Sequence, residues 1–430
     1  MLRAIGAEYT ALLQVSLFAL LRTEPAFRRL WIGQCVSEIG DWLQLVALLS
    51  ILPTRGHAAL GLGGFFVVRF LPSVLVAPLA GSFADRFHRG RIMIVADLLR
   101  AVLVFGYLRV RGPEDLPLVY GLCFLQESIT AFFEPARGAA IVQMVPREKL
   151  FAANALSSAS WSVMLSLGAW IGGMVTSAAG TKAAFLLDSA TFLVSAVYIF
   201  RAKVPPLPKT GDMEHAASGG FLQGLRYLRA HPPQAIIVLL KGGLGVVGGF
   251  GVLLSAFADQ VLGGDLARST GWLYFARGLG ALLGPLVAKR FFGDGPRSLR
   301  RGLLLSFPLA ATALVGFAYA PTLGAACSAF VLTTTGTSIV WVHSTQLLQL
   351  TVEERVLGRV LAVELALLTL ALATSTALVA VPLSRGWLDP RGATLLLAAS
   401  MLVPAVAWFY ANARWGDAID RAVTARDAQR

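Results

Sequence analysis

Apolar runs of membrane-spanning length constrain this chain more than any motif in it. They lie at about 30–51, 59–80, 92–110, 117–139, 153–178, 183–200, 235–257, 269–288, 302–320, 323–347, 360–383 and 393–412. A hydrocarbon core about 30 Å thick takes roughly 20 mainly apolar residues per spanning helix. Composition agrees: 56% of the 430 residues are hydrophobic and only 14% charged, against roughly 25% charged in soluble domains. The pattern predicts an all-α membrane protein with twelve transmembrane helices, six on each side of the longest polar stretch.

That stretch, Arg201 to Gln234, holds Pro205, Pro206, Pro208, Pro232 and Pro233 and reads as a linker with one amphipathic turn around Phe221 to Leu228. The predicted organisation is therefore an N-terminal segment over 1–26, a six-helix half over 27–200, a linker over 201–234, a second half over 235–412 and a tail over 413–430. Within the first segment, residues 5–21 read as an interfacial amphipathic helix.

A net charge of +13 would suit a nucleic-acid binder, so the placement of the charges decides. One side of the predicted membrane collects Arg28 and Arg29, then Arg86, Arg89 and Arg91, then Arg147 and Lys149, the linker cations, Lys289 to Arg301, Arg355 and Arg359. The opposite side has only Arg55, Arg109, Arg111, Lys182, Arg268, Arg385 and Arg391. Basic residues favour cytoplasmic loops, which predicts a multi-pass protein of the cell inner (plasma) membrane with both termini and the linker in the cytoplasm. The lipid bilayer accounts for the basic excess, and no nucleic-acid partner is expected.

Cys35, Cys123 and Cys327 sit inside apolar runs without paired or metal-ligand spacing, so neither a disulfide nor a metal site is expected. Gly243-Leu244-Gly245-Val246-Val247-Gly248 matches the dinucleotide fingerprint literally, but no strand and crossover surround it. Its glycines instead predict bending or close packing of the seventh span. There is no Walker A pattern, no cofactor is expected, and no nucleophile, base and orienting group fall together as in an enzyme.

The two halves resemble each other. Gln143-Met144-Val145-Pro146-Arg147-Glu148 follows the fourth run and Gln349-Leu350-Thr351-Val352-Glu353-Glu354 the tenth, while the basic stretch Pro285 to Arg301 echoes the one after the second run. A repeat in the same orientation predicts two parallel halves with a substrate site near midplane between them.

Gly81-Ser82-Phe83-Ala84-Asp85-Arg86-Phe87-His88-Arg89-Gly90-Arg91 sets one carboxylate among three arginines and a histidine between the second and third runs. It resembles the loop signature of the major facilitator superfamily. Gly40-Asp41-Trp42, Arg69-Phe70-Leu71-Pro72, Asp97 to Arg100, Pro135-Ala136-Arg137 and Val145-Pro146 resemble the branch holding the enterobactin exporter and macrolide efflux proteins. The resemblance runs from about Phe27 to Trp415 and implies the major facilitator fold with secondary transport. It also implies a conformational latch of Gly81, Asp85, Arg86, Arg89 and Arg91, in which Asp85 meets the cytoplasmic ends of the fourth and eleventh helices, with Arg137 as a partner. Two departures bear on direction and coupling. The fifth run reads Gly168-Ala169-Trp170-Ile171-Gly172-Gly173 without the Gly-Pro of many exporters, and Glu127 stands where many proton-driven exporters carry an arginine-led motif.

Charges inside the runs nominate the working residues. Each carboxylate within a bilayer costs about 2.5 to 3.5 kcal/mol on insertion scales and faces a cavity or a partner. Glu38 and Asp41 share one helix face with Gln34 and Gln44 and are the first proton-coupling candidates, with a structural helix-contact role as the alternative for Asp41. Glu127 either binds a proton or cation or pairs with Arg69, while Asp97 and Arg100 read as an intrahelical pair. Lys241 and Arg277 are the buried cations of the second half, with Glu364 as a possible counter-ion, while Lys241 and Glu364 also lie close enough to the cytoplasmic interface to snorkel, the favoured account for those two. Arg69, Arg277, Thr334, Ser338 and Trp341 are the substrate-cavity candidates, the hydroxyls being equally suited to interhelical hydrogen bonds.

The expected activity is secondary active transport: proton-coupled export of an amphipathic small molecule, such as a drug, siderophore or secondary metabolite, by a monomer through alternating access. A lipid or lysophospholipid flippase, or a non-transporting scaffold, would share the fold.

Overall fold

The computed structural model describes residues 17–52, 59–146, 149–206, 220–293 and 295–427, which are helical almost throughout. Residues 1–16, most of the expected interfacial helix, lie outside the described residues, as do Arg147 and the linker residues 207–219.

The chain divides into two compact units, one of 1–52 with 68–209 and the other of 53–67 with 210–430. In the first, α1 (Leu17–Thr23) and α2 (Pro25–Ile51) are followed by α3 (Ala59–Leu75), α4 (Ala77–Arg86), α5 (Arg89–Tyr107), α6 (Leu116–Met144) and α7 (Leu150–Ala202). The opening of α3, through Val67, belongs to the second unit, where Phe66 lies against Gly251. The helix α7 holds two of the expected runs. Gly180, at φ 81° and ψ 169°, turns the chain between them in a conformation that a side chain would strain.

Small residues set the closeness of α2 and α7. A Cβ on Gly168 would come within 2.8 Å of the Ile39 carbonyl, and one on Gly172 within 2.7 Å of Leu43 Cα. The fifth run thus uses its glycines for backbone-to-backbone approach. Trp31 Nε1 reaches across to donate to Ser160 Oγ at 2.8 Å, and Arg29 donates to the Arg201 carbonyl near the end of α7 at 3.1 Å.

The second unit comprises α8 (Gly220–Ala230), α9 (Pro232–Gly243), α10 (Val246–Phe257), a π-turn at Ala258–Leu262, α11 (Leu266–Phe291), α12 (Pro296–Ala318), α13 (Leu323–Thr351), α14 (Glu354–Ser384), α15 (Pro390–Ser400) and α16 (Leu402–Asp427). The amphipathic turn expected in the linker is α8. The seventh run breaks at Leu244-Gly245, within the glycine series, of which Gly245 and Gly248 lie on α14, with a Cβ at Gly248 falling 2.7 Å from Leu372 Cα. Ser375 of α14 accepts from the Gly249 N–H at 3.1 Å and donates to the Val246 carbonyl at 3.0 Å. Backbone groups beside the break are therefore satisfied without water, as a buried interruption requires.

The repeat seen in sequence recurs in local geometry. The helix α6 ends on Val145 (φ −121°, ψ 130°) and α13 on Val352 (φ −98°, ψ 135°), both extended and buried. Their amides bond Ile141 and Leu348 carbonyls at 3.0 and 2.9 Å. The expected tail is continuous with α16, which runs unbroken to Asp427. Arg300 holds it by a two-pronged contact to Asp420, with Nε to Oδ1 at 3.0 Å and a terminal nitrogen to Oδ2 at 2.8 Å.

Among the described residues, seven helices are long and apolar enough to cross a membrane, and they cover eight of the apolar runs because Ala152–Ala202 holds two. The four remaining runs, in α2, α3 with α4, α5 and α11, carry Glu38 and Asp41, Arg69, Asp97 and Arg100, and Arg277. These interior charges, with the division between α3 and α4, are the physical reason for the lower count.

Candidate functional site

In the first unit, α2 presents Gln34, Glu38, Asp41 and Gln44 at helical spacing. Gln34 Nε2 donates to Glu38 Oε1 at 2.7 Å, while Glu38 Oε2 is buried without a hydrogen-bond partner. Gln44 and Gln126 exchange hydrogen bonds at 3.1 and 2.9 Å, tying α2 to α6. The next residue on α6, Glu127, forms an ion pair with Arg69 of α3 at 3.2 Å, with both side chains largely covered. Of the two roles open to Glu127 in the sequence, the pairing is the one this geometry displays.

Asp97 and Arg100 pair within α5, fully buried, and the Arg100 guanidinium lies between the rings of Phe133 at 4.7 Å and Phe192 at 4.4 Å. Such stacking holds a cation in an apolar setting.

A further carboxylate joins them. Asp188 of α7 is completely buried, and its Oδ2 has no hydrogen-bond partner. Thr191 Oγ1 donates to the Asp188 carbonyl at 2.7 Å. Glycine at position 40 permits the approach, since a Cβ there would overlap Asp188 Oδ1 and Thr191 Oγ1. Sequence reasoning missed Asp188, although a carboxylate inside the 183–200 run carries the same signal that marked Glu38. Among the described residues, these helices of the first unit carry Asp41, Asp97, Glu127 and Asp188 together with Arg69 and Arg100, of which Glu127 pairs with Arg69 and Asp97 with Arg100.

The loop signature places its residues unevenly. Arg89 is buried and donates to the Ala84 carbonyl at 3.4 Å and the Ala139 carbonyl at 3.1 Å, late in α4 and α6. A cation on helix C-terminal carbonyls is favoured by the dipole. Arg86 and Arg91 are exposed. The side chains of Gly81 and Asp85 lie outside the described residues, and Arg137 pairs with Glu134 on its own helix at 2.5 Å.

In the second unit, Lys241 of α9 meets Glu364 of α14 at 3.2 Å, both about 5% exposed. Its ammonium also donates to Thr345 Oγ1 at 2.7 Å and sits 4.3 Å from the Trp341 ring centroid. This corrects the snorkelling expectation: the two side chains turn inward because each supplies the other's counter-charge. Arg277 stacks near Tyr274 at 5.6 Å. Thr334 Oγ1 donates to the Phe330 carbonyl at 2.9 Å, and Ser338 Oγ crosses to the Ala281 carbonyl at 2.8 Å. Both hydroxyls lie where α13 meets Gly280 and Gly284 of α11. Trp341 alone of the tenth-run candidates is about half exposed.

The sequence matches the family model of the Major Facilitator Superfamily over residues 30–373. The chain belongs to that superfamily. As a member it is a membrane transporter and not an enzyme. A Bacillus amyloliquefaciens relative named for bacilysin export, BacE, is 29% identical over 304 residues, covering 69% of this chain and 74% of the relative. Macrolide efflux protein A of Streptococcus pyogenes is 25% identical over 220 residues, half of this chain and 54% of the relative. The superfamily fold is matched by the crystal structure of the nucleoside transporter NupG, with a TM-score of 0.68 at 13% identity over 90% of this chain and 98% of that one. A bacterial homologue of the lysosomal transporter Spinster matches with a TM-score of 0.66 at 15% identity, over 93% and 97%.

Proposed function

We propose that this superfamily member exports an amphipathic small molecule in exchange for protons, working as a monomer of twelve spans in the inner membrane with both termini cytoplasmic. The observation that carries the coupling is Asp188, fully buried with Oδ2 unpartnered and packed against Gly40, the residue before Asp41, while Glu127 and Asp97 already hold Arg69 and Arg100. An unpaired buried carboxylate costs several kcal/mol, and such groups are neutralised instead. In this reading Asp41 and Asp188 carry the coupled protons, and a conformational change that admits water or moves an arginine releases them. Glu38, with one oxygen unpartnered, lies about one turn away on α2 and provides a relay position.

Direction is supported by the relatives named for bacilysin export and macrolide efflux. In this reading Arg277 and Trp341 face substrate, Thr334 and Ser338 shape the packing behind them, and the loop from Gly81 to Arg91, with Arg137, governs the conformational cycle.

The test is uptake of labelled erythromycin and of ethidium into inside-out vesicles under an imposed pH gradient. Export by proton exchange gives accumulation that a protonophore abolishes. Asp188→Asn and Asp41→Asn should abolish accumulation against the gradient while retaining downhill exchange. Gradient-driven accumulation undiminished in both variants would sink the coupling assignment.

A further inference from the structure

The first unit also carries an open pocket of about 740 Å³, remote in character from the buried carboxylates. It lies where the start of α2, the start of α5 and the end of α7 come together. Arg29, His88, Arg91, Arg201 and Lys203 line it, and none of its described lining residues is acidic. Like charges so gathered repel, so the arrangement costs stability unless an anion answers it.

The cations are not consumed by the fold. Arg29 holds the Arg201 carbonyl with one nitrogen. The side chains of Arg91, Arg201 and Lys203 make no hydrogen bond or ion pair among the described residues. Lys203 adopts φ 51° at the end of α7, a left-handed position where glycine or asparagine is the low-cost choice. His88 contributes a buried Nδ1 that has no hydrogen-bond partner. Beside this basic rim stands Phe200, 74% exposed on the same helix end.

A basic rim next to an apolar wall matches one chemistry, a phosphate group attached to hydrocarbon. We propose that the pocket binds the headgroup of an anionic membrane lipid, with Arg91, Arg201, Lys203 and His88 around the phosphate and an acyl chain along Phe200. A free anion would answer the cations but leave the phenyl ring uncovered. Basic pockets between helices on the cytoplasmic face are suited to such headgroups, and the charge distribution of the sequence assigns this end to that face.

The experiment is native mass spectrometry of the detergent-purified full chain titrated with phosphatidylglycerol, phosphatidylcholine or inorganic phosphate. Thermal melting is followed in parallel. The expected result is a tightly retained phosphatidylglycerol that raises the melting temperature, with phosphatidylcholine and phosphate failing to do so. Arg201→Gln combined with Lys203→Gln, both outside the loop signature, should weaken retention by roughly tenfold or more, since each basic residue near an anionic surface is worth about fivefold. Arg414→Gln combined with Arg421→Gln, in the second unit, should retain the lipid as wild type does and controls for general charge loss. Equal retention of the two lipids, unchanged retention in the Arg201/Lys203 variant, or equal stabilisation by phosphate alone overturns the proposal. Should the pocket variant fail to purify as a folded protein, Phe200→Ser supplies the same test through the apolar wall, with loss of phosphatidylglycerol preference expected.

Discussion

Replacing Glu364 by glutamine should be among the most damaging single changes in the second unit. The Lys241 ammonium would remain about 5% exposed with only Thr345 Oγ1 at 2.7 Å and the Trp341 ring at 4.3 Å for company. Removing one partner of a buried ion pair costs roughly 3 to 5 kcal/mol. The glutamine oxygen still accepts one neutral hydrogen bond, which returns about 1 kcal/mol. The net loss is therefore about 3 kcal/mol, on the order of a hundredfold in the unfolding equilibrium. Reversible unfolding in mixed detergent, followed by tryptophan fluorescence, measures it, and Trp341 against the ammonium makes the probe local. The companion is Lys241→Met with Glu364→Met, which removes both charges at similar volume and should return to within about 1 kcal/mol of wild type. Transport by that stable double variant then separates a packing role from a transport role. A loss below about 0.5 kcal/mol in E364Q, or a double variant less stable than E364Q, would refute the reasoning.

Four further changes test other parts of the same structure. Arg300→Gln removes the two-pronged contact to Asp420 and should raise hydrogen exchange across 413–427 by about tenfold, leaving 390–400 unchanged; equal exchange in both proteins contradicts the docking. Gly248→Ala drives a methyl into the Leu372 backbone and should cost about 1 to 3 kcal/mol in the same unfolding assay. Gly121→Ala, with open space around it, should be neutral or stabilising by up to about 1 kcal/mol, and a reversed order would discredit the packing argument. Ser375→Ala strips the partner from the Gly249 amide and Val246 carbonyl and should cost about 1 to 3 kcal/mol, detectable as a lower melting temperature.

Much of this was legible in the chain. The helical class and the superfamily follow from apolar runs and the loop signature, because spanning length and backbone satisfaction in lipid leave few alternatives. The Glu127 and Arg69 pairing was one of two readings the sequence left open, the other being proton or cation binding, and the ion pair is the one the structure displays. For Lys241 and Glu364 the sequence offered both a counter-ion pairing and snorkelling, and only the approach of α9 to α14 decides between them. The hydroxyls of Thr334 and Ser338 were similarly undecided until their backbone partners were known.

What the sequence determined alone is local or one-dimensional: which segments are helical and apolar, where the basic residues cluster, and which spans carry charge. The tertiary structure decided which of those charges meet. Asp188 packs against α2 at Gly40 only because that position has no side chain, and Arg100 finds its place between Phe133 and Phe192 from two other helices. Such partners are separated by tens of residues and set by packing, a pairwise property that no single stretch of sequence contains.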